Sequence, residues 1–200
     1  MGDLDMRCGP LRALRSKRAP TASNSTDFTV VFDEAQAVLQ ADSEAAAAAL
    51  WRSIDLRQPT LARLSWRWKI DGVLDTQVDE RTRQGDDYAA RVMVAFATDV
   101  WDSDTRALAY VWARDLPVGA RFPNPYRQRV TTIVLRNGDD PTGGWRAEER
   151  DLLADYERAF GELPDRIGGI AFMADTDNTD TQVRSWLSDL RLLALPELPD

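Results

Sequence analysis

The chain has 200 residues, of which 44% are hydrophobic, so it is long enough to bury a core as one domain. Its net charge of −8 at pH 7 argues against a general nucleic-acid binder, because phosphate groups are neutralised by Lys and Arg. Histidine is absent, which excludes Ser-His-Asp and Cys-His nucleophile systems and the HExxH zinc site.

Residues 1–25 differ in charge from the rest of the chain. Five basic residues stand against two aspartates within the first twenty positions. We therefore expect residues 1–25 to be a basic, disordered leader and residues 26–200 to form a single domain. The leader lacks the apolar core of a signal peptide. No stretch approaches the ~20 apolar residues that a transmembrane helix needs.

Period-two alternation predicts strands over most of the domain. Residues 64–70 place Trp66 and Trp68 on one face of a half-buried strand, whereas residues 88–96 are apolar on both faces apart from Arg91. Further strands are predicted at residues 28–32, 107–112, 130–136, 167–173 and 183–193. Turn-rich segments separate these strands, so the sequence predicts an all-β fold, an antiparallel β-sandwich.

Two segments predict helix. Residues 147–160 have apolar side chains at three-to-four spacing, and Gly161 is a plausible C-terminal stop. Residues 43–52 contain five consecutive alanines behind Ser43, a good helix cap. A sheet that needs small side chains could take the alanines instead. The fold class adopted is a β-sandwich with one helix near residues 147–160.

Several blocks resemble an uncharacterised bacterial family, domain-of-unknown-function family 3047. They read LSWRWKI (64–70), GDDYAARV (85–92), AYVW (109–112), ERD (149–151), DYERAFG (155–161) and FMADTDNT (172–179). The resemblance implies a single β-sandwich domain of no established activity, often exported, so a periplasmic or secreted location is expected although no signal peptide is visible. Residues 186–192 are similar to the last strand of jelly-roll carbohydrate-binding modules, which makes the expected sandwich jelly-roll-like.

The acidic run at residues 174–180 is the densest group of polar side chains and follows a predicted strand. It fails as an EF-hand, because the sixth position from Asp175 is Asp180 and the twelfth is Trp186. A looser Ca²⁺ site remains, with Asp175, Asp177, Asn178 and Asp189 as oxygen ligands. The alternatives are side chains that cap a tight turn, or a polar ligand site.

A second group of candidates could line a binding groove. The polar members are Asp86, Asp87, Arg91, Glu149 and Arg150; Asp86 or Asp87 could instead form a buried pair with Arg91 or Arg150. The aromatic members are Trp101, Trp145 and Tyr126, which lie beside turn signals and are expected to be exposed.

These features favour a non-catalytic domain that binds a saccharide or another polyhydroxylated ligand. One alternative is a glycoside hydrolase or lyase with two carboxylates, for instance Glu149 with Asp86 or Asp175. Another is a structural or partner-binding subunit, which a large exposed apolar patch would indicate. The sequence predicts no catalytic residue and no certain cofactor, and it does not determine the oligomeric state.

Overall fold

The computed structural model describes residues 15–18, 24–97, 102 and 104–196. Its strands are β1 (Arg15–Arg18), β2 (Asp27–Asp33), β3 (Gln36–Glu44), β4 (Ala47–Arg57), β5 (Pro59–Ile70), β6 (Tyr88–Ala95), β7 (Ala107–Trp112), β8 (Arg121–Pro123), β9 (Val130–Arg136), β10 (Arg146–Asp151), β11 (Arg166–Asp175) and β12 (Gln182–Pro196). One α-helix, α1 (Leu152–Phe160), lies between β10 and β11, and a 3₁₀ turn covers Arg83–Gly85.

The strands form two sheets. The front sheet has seven strands in the order β1-β4-β11-β6-β7-β9-β8, and the back sheet has five in the order β10-β5-β12-β3-β2. Neighbouring strands pair antiparallel except β7 and β9, which are parallel. The predicted all-β sandwich is therefore confirmed, and the strands predicted at 107–112 and 130–136 have the predicted bounds.

The inner faces of the two sheets meet in an aromatic core. Trp66 and Trp68 of β5 pack edge to face, with ring centroids 5.5 Å apart. Trp66 also lies 5.6 Å from Tyr110, and Trp68 lies 5.8 Å from Trp112, both on β7. These rings are the alternating apolar side chains of the two inner faces, and packing them together removes a large apolar area from water. Such burial between the sheets is the main stabilising contribution in a sandwich.

The helix predicted at residues 43–52 is wrong. Residues 36–44 belong to β3, and the alanine run turns at Ala45, which has φ 44°, before entering β4. Strand β4 pairs with β11 on one side and β1 on the other, so its backbone groups find partners along two edges. Helix propensity is a weak preference that such pairing overrides, particularly where the sheet accepts small side chains.

The helix predicted at residues 147–160 begins later than expected. Residues 146–151 form β10, the edge strand that pairs with β5, and helix α1 starts after Asp151. Asp151 caps the helix by accepting hydrogen bonds from the backbone N–H groups of Leu153 and Ala154, both at 3.1 Å. The predicted stop is confirmed, because Gly161 has φ 79° and donates its N–H to the Glu157 carbonyl.

Part of the predicted leader is ordered as a strand. Residues 15–18 form β1, which pairs with the outer edge of β4. That edge offers unpaired backbone groups, which gives the segment hydrogen-bond partners that an isolated leader lacks. Within the described residues, no helix is long and apolar enough to cross a membrane.

Candidate functional site

The acidic loop is held by a carboxylate from outside the loop. Asp87, which is 1% exposed, accepts hydrogen bonds from the backbone N–H groups of Asn178 at 3.0 Å and Thr179 at 2.7 Å. Its two oxygens also accept from the Asn178 amide at 2.8 Å and the Thr179 hydroxyl at 2.7 Å. Four donors converge on one buried carboxylate, so Asp87 fixes the conformation of this loop.

Beside it, Arg91 joins two further buried carboxylates. Arg91 Nη2 donates to Asp175 Oδ2 at 2.7 Å and to Asp86 Oδ1 at 3.3 Å, and all three side chains are 6% exposed or less. Asp86 also accepts from the Asn124 amide at 2.6 Å, and Asp175 from the Tyr88 N–H at 3.1 Å. The predicted pairing of Asp86 with Arg91 is present.

Burial, and after it the neighbouring charges, shifts the pKa of two carboxyl groups in this cluster. Burial raises the pKa of Asp175 well above its usual range; Arg91 opposes the rise, while the carboxylates of Asp87 and Asp86 add to it. Burial likewise raises the pKa of Asp86, against the effects of Arg91 and Asn124. The three carboxylates all find internal donors, while the buried Arg91 Nε has no hydrogen-bond partner, and these residues form a scaffold for the loops above them.

A polar rim lies above that network. The Tyr126 ring is 42% exposed, and its hydroxyl lies 2.6 Å from Asn178 Oδ1 and 2.9 Å from the Arg83 carbonyl oxygen. The Arg83 guanidinium stands 5.3 Å from the centre of the Tyr126 ring. The expected exposure of Tyr126 is thus confirmed, and it places an aromatic ring beside an amide at the edge of the front sheet.

The four residues proposed as calcium ligands do not form one set. Asp175 is buried against Arg91, whereas Asp189 lies in the back sheet, 3.6 Å from Arg67 and 3.8 Å from Arg191. In the described part of the chain, no three Asp, Glu, His or Cys side chains are grouped as a metal ion requires. Asp177 and Asn178 stay near each other in the loop, and calcium binding there stays a prediction.

Glu149 and Arg150 lie away from the acidic loop, on strand β10 of the back sheet. Glu149 is exposed and 3.5 Å from Arg63, so the carboxylate pair suggested for a hydrolase, Glu149 with Asp86 or Asp175, is not formed. Arg150 donates from Nε and Nη2 to Asp155, at 2.8 and 2.7 Å. Its role is to fasten β10 to helix α1.

The tryptophans divide between the core and the two outer faces. Trp145 lies partly exposed on the back sheet, where its indole N–H donates to Asp33 at 2.9 Å. Trp101 lies outside the described residues. Two further partly exposed tryptophans are not among the sequence candidates: Trp51 lies in the segment wrongly predicted to be helical, and Trp186 lies in the predicted last strand.

The outer face of the front sheet, which we call the front face, carries a row of side chains that begins at the partly exposed Trp51 and ends at the buried Ala109. Register pairs Trp51 with Ala171, Ala171 with Met93, and Met93 with Ala109. The Trp51 ring rests on Gly169: a Cβ placed there would lie 2.2 Å from Trp51 Cζ3. Only glycine leaves room for a ring lying this close to the sheet.

The next row of the front face leads to the polar rim. Met173 pairs with Arg91, and Asp175 pairs with Tyr88 where β11 ends. Positions on β4, β11 and β6 are partly exposed in this region, as Trp51, Ala171, Met93 and Met173 show. The result is a strip of glycine, alanine and methionine residues with Trp51 toward one end and Tyr126 at the other.

With this geometry in place, the sequence comparison identifies the family. The family described as "Protein of unknown function (DUF3047)" matches residues 13–191 of this chain. The chain belongs to this family. No curated protein matches the chain in sequence.

Solved structures show what this DUF3047 domain is similar to in fold. The family 11 carbohydrate-binding module of the cellulosomal cellulase Lic26A-Cel5E of Clostridium thermocellum is 13% identical, with a TM-score of 0.51 over 100% of this chain and 99% of that one. The same family of module in complex with a β-1,3-1,4-mixed-linked tetrasaccharide gives 0.50 at 13% identity, over 98% and 96%. The enzymatically active domain of tailspike protein 4 from bacteriophage CBA120 gives 0.50 at 10% identity, over 94% of this chain but 20% of that chain. These similarities establish the fold.

Proposed function

We propose that this DUF3047 domain is a non-catalytic saccharide-binding domain whose ligand lies along the front face. The observation that carries the proposal is the strip from Trp51 to Tyr126. It combines two partly exposed aromatic rings with a floor of glycine, alanine and methionine residues and polar groups at one end. Sugar rings stack on aromatic surfaces through their C–H groups, while their hydroxyls need amide and carboxylate partners.

The size of the strip favours an oligosaccharide over a single sugar. From Gly169 under Trp51 to Asp175 near the rim, β11 advances six residues, or about 20 Å at about 3.3 Å per residue. A ligand that contacts both aromatic rings must span most of that length. The tetrasaccharide complex of the family 11 module gives an example of such a ligand on the same fold.

The buried network supports the proposal by holding the rim in place. Asp87 fixes Asn178, and Asn178 in turn contacts the Tyr126 hydroxyl, so the polar end of the strip is rigid before any ligand arrives. Preorganised polar groups lose less conformational entropy on binding, which improves affinity. The cluster singled out from sequence therefore acts beneath the binding surface.

A screen of neutral oligosaccharides, including mixed-linked β-glucan fragments, tests the proposal. Binding is followed by tryptophan fluorescence and by calorimetry on the purified chain. We expect Trp51→Ala to weaken binding at least tenfold, or about 1.4 kcal/mol, since aromatic anchors dominate most binding surfaces. Tyr126→Phe, which removes only the hydroxyl, should weaken it less.

Trp186→Ala, on the opposite face, serves as the matched control and should leave neutral-saccharide binding unchanged. Circular dichroism of each variant checks that the fold is retained. The proposal is wrong if no neutral saccharide binds at millimolar concentration, or if Trp51→Ala and Trp186→Ala have equal effects.

A further inference from the structure

The outer face of the back sheet, the back face, carries a second aromatic surface with a different charge. Lys69 Nζ stands between two indole rings, 4.5 Å from the centre of Trp186 and 5.1 Å from that of Trp145. Asp33 accepts from Lys69 Nζ at 2.5 Å and from the Trp145 indole N–H at 2.9 Å. These contacts lock the two rings on one face of the sheet.

Next to Trp145, two arginines share one carboxylate. Arg67 and Arg191 lie 3.6 Å and 3.8 Å from Asp189, and their side chains are 37% and 55% exposed. Charge-assisted N–H···O bonds are about 2.7–2.9 Å long, so both of these pairs are loose. Asp189 also accepts from Gln36 at 3.3 Å and Ser188 at 3.0 Å, which occupies its oxygens further.

Around Arg67 and Arg191 the back face holds a local excess of positive charge in a protein whose net charge is −8, although Asp27, Glu44 and Asp151 also lie on this face. Its other ion pairs are one to one: Lys69 with Asp33, Arg184 with Asp42, and Arg63 with Glu149. Arg67 and Arg191 exceed their single shared partner by one charge. Each guanidinium has five N–H donors in a planar fork, which matches a carboxylate or sulfate group.

We propose that the back face binds an acidic saccharide, with its carboxylate or sulfate on the guanidinium donors of Arg67 and Arg191 that Asp189 leaves unused and a sugar ring packed against Trp145. The Arg67 guanidinium carbon is 5.1 Å from the centre of the Trp145 ring, so the anion site and the apolar surface are adjacent. The proposal does not depend on saccharide binding at the front face. It assigns a second ligand class to the opposite sheet.

Calorimetric titration with three tetrasaccharides tests this assignment: a uronate oligomer, a sulfated oligomer and a neutral glucan oligomer. We expect the acidic ligands to bind and their affinity to fall as NaCl is raised from 50 to 300 mM. The Debye length, about 10 Å at 0.1 M, shortens as salt is added, so the attraction between the arginines and the anion is screened. Whichever acidic ligand binds more tightly identifies the anion as carboxylate or sulfate.

Arg67→Gln and Arg191→Gln should each weaken the acidic ligand about tenfold or more, since hydrogen bonds to charged groups are the strong ones. Arg57→Gln is the matched control, because Arg57 is 70% exposed, pairs with Asp55 and lies on β4 of the front sheet, away from the back face. The assignment is overturned if neither acidic ligand binds, or if Arg57→Gln weakens binding equally. It is also overturned if Trp51→Ala abolishes binding of the acidic ligand, because the ligand would then lie on the front face. Binding of the neutral oligomer tests the front-face proposal separately.

Discussion

A small chemical change at Asp155 should cause a large loss in the free energy of unfolding. It lies on helix α1, is 1% exposed, and accepts from Arg150 of β10, Arg121 of β8 and the Tyr110 hydroxyl of β7. Strands β10 and β8 are the edges of the two different sheets. One carboxylate therefore closes this side of the sandwich.

Asp155→Asn keeps the shape of the side chain but removes the charge that balances both guanidinium groups. Breaking a buried ion pair from one side costs about 3–5 kcal/mol, because the remaining charge is left without compensation. Arg121 and Arg150 are 24% and 27% exposed and so recover some hydration. We therefore expect about 3 kcal/mol, which lowers the melting temperature by roughly 6–12 °C for a chain of this size.

Urea denaturation followed by tryptophan fluorescence measures this loss at pH 7. Glu149→Gln is the control, since Glu149 is 66% exposed and its single ion pair is long, and it should change stability by less than about 0.5 kcal/mol. The interpretation fails if Asp155→Asn costs less than about 1 kcal/mol beyond the control.

The pH dependence gives an independent check on Asp155. Burial alone would raise the pKa of Asp155, but hydrogen bonds from Arg150 and Arg121 outweigh burial and hold its pKa below the usual range. A lowered pKa stabilises the folded protein above the unfolded value of about 3.9, and the contribution is lost as pH falls through the folded pKa. The stability gap between the native protein and Asp155→Asn should narrow on acidification below about pH 4; a constant gap would refute the reasoning.

Three further predictions concern the front face. Asp87→Ala leaves the backbone N–H of Thr179 without its acceptor, so amide hydrogen exchange there should accelerate at least tenfold while exchange in the core strands changes less. The pKa of Asp175 is raised, so its contribution to stability is present below about pH 3.9 and declines as pH rises through the folded pKa; Asp175→Asn should remove that decline in urea titrations between pH 4 and 7. Gly169→Ala places a methyl group against the Trp51 ring, so it should shift tryptophan emission and weaken neutral-saccharide binding in calorimetry, and unchanged affinity would argue against the front face.

Local pattern was sufficient for the strands that alternate regularly or are apolar on both sides. Strand β7 and strand β9 were predicted at their exact bounds, and Arg91 was recognised as the polar exception on β6. Such patterns are set by the geometry of a strand, whose successive side chains point to opposite faces, and need no knowledge of partners. The alternation also placed Trp66 and Trp68 on one face of β5, and that face lies in the core.

Local pattern failed where a distant strand decided the outcome. The alanine run prefers helix on its own, and only pairing with β11, more than 100 residues later, makes it strand β4. Strand β10 is polar because it lies at a sheet edge, where Arg150 and Glu148 meet Asp155 and Arg136. Acidic residues are also common in the first turn of a helix, so the sequence of β10 resembles a helix start.

The binding surfaces divide in the same way. The sequence by itself determined that Asp86, Asp87 and Asp175 would lie at strand ends with a need for donors, since carboxylates there cannot stay unpaired when buried. The tertiary structure decided that their donors are internal, and that Trp51 rests on Gly169 while Trp145 reaches Asp33 across 112 positions of the chain. Those contacts follow from sheet register and packing between strands, which no local stretch of sequence contains.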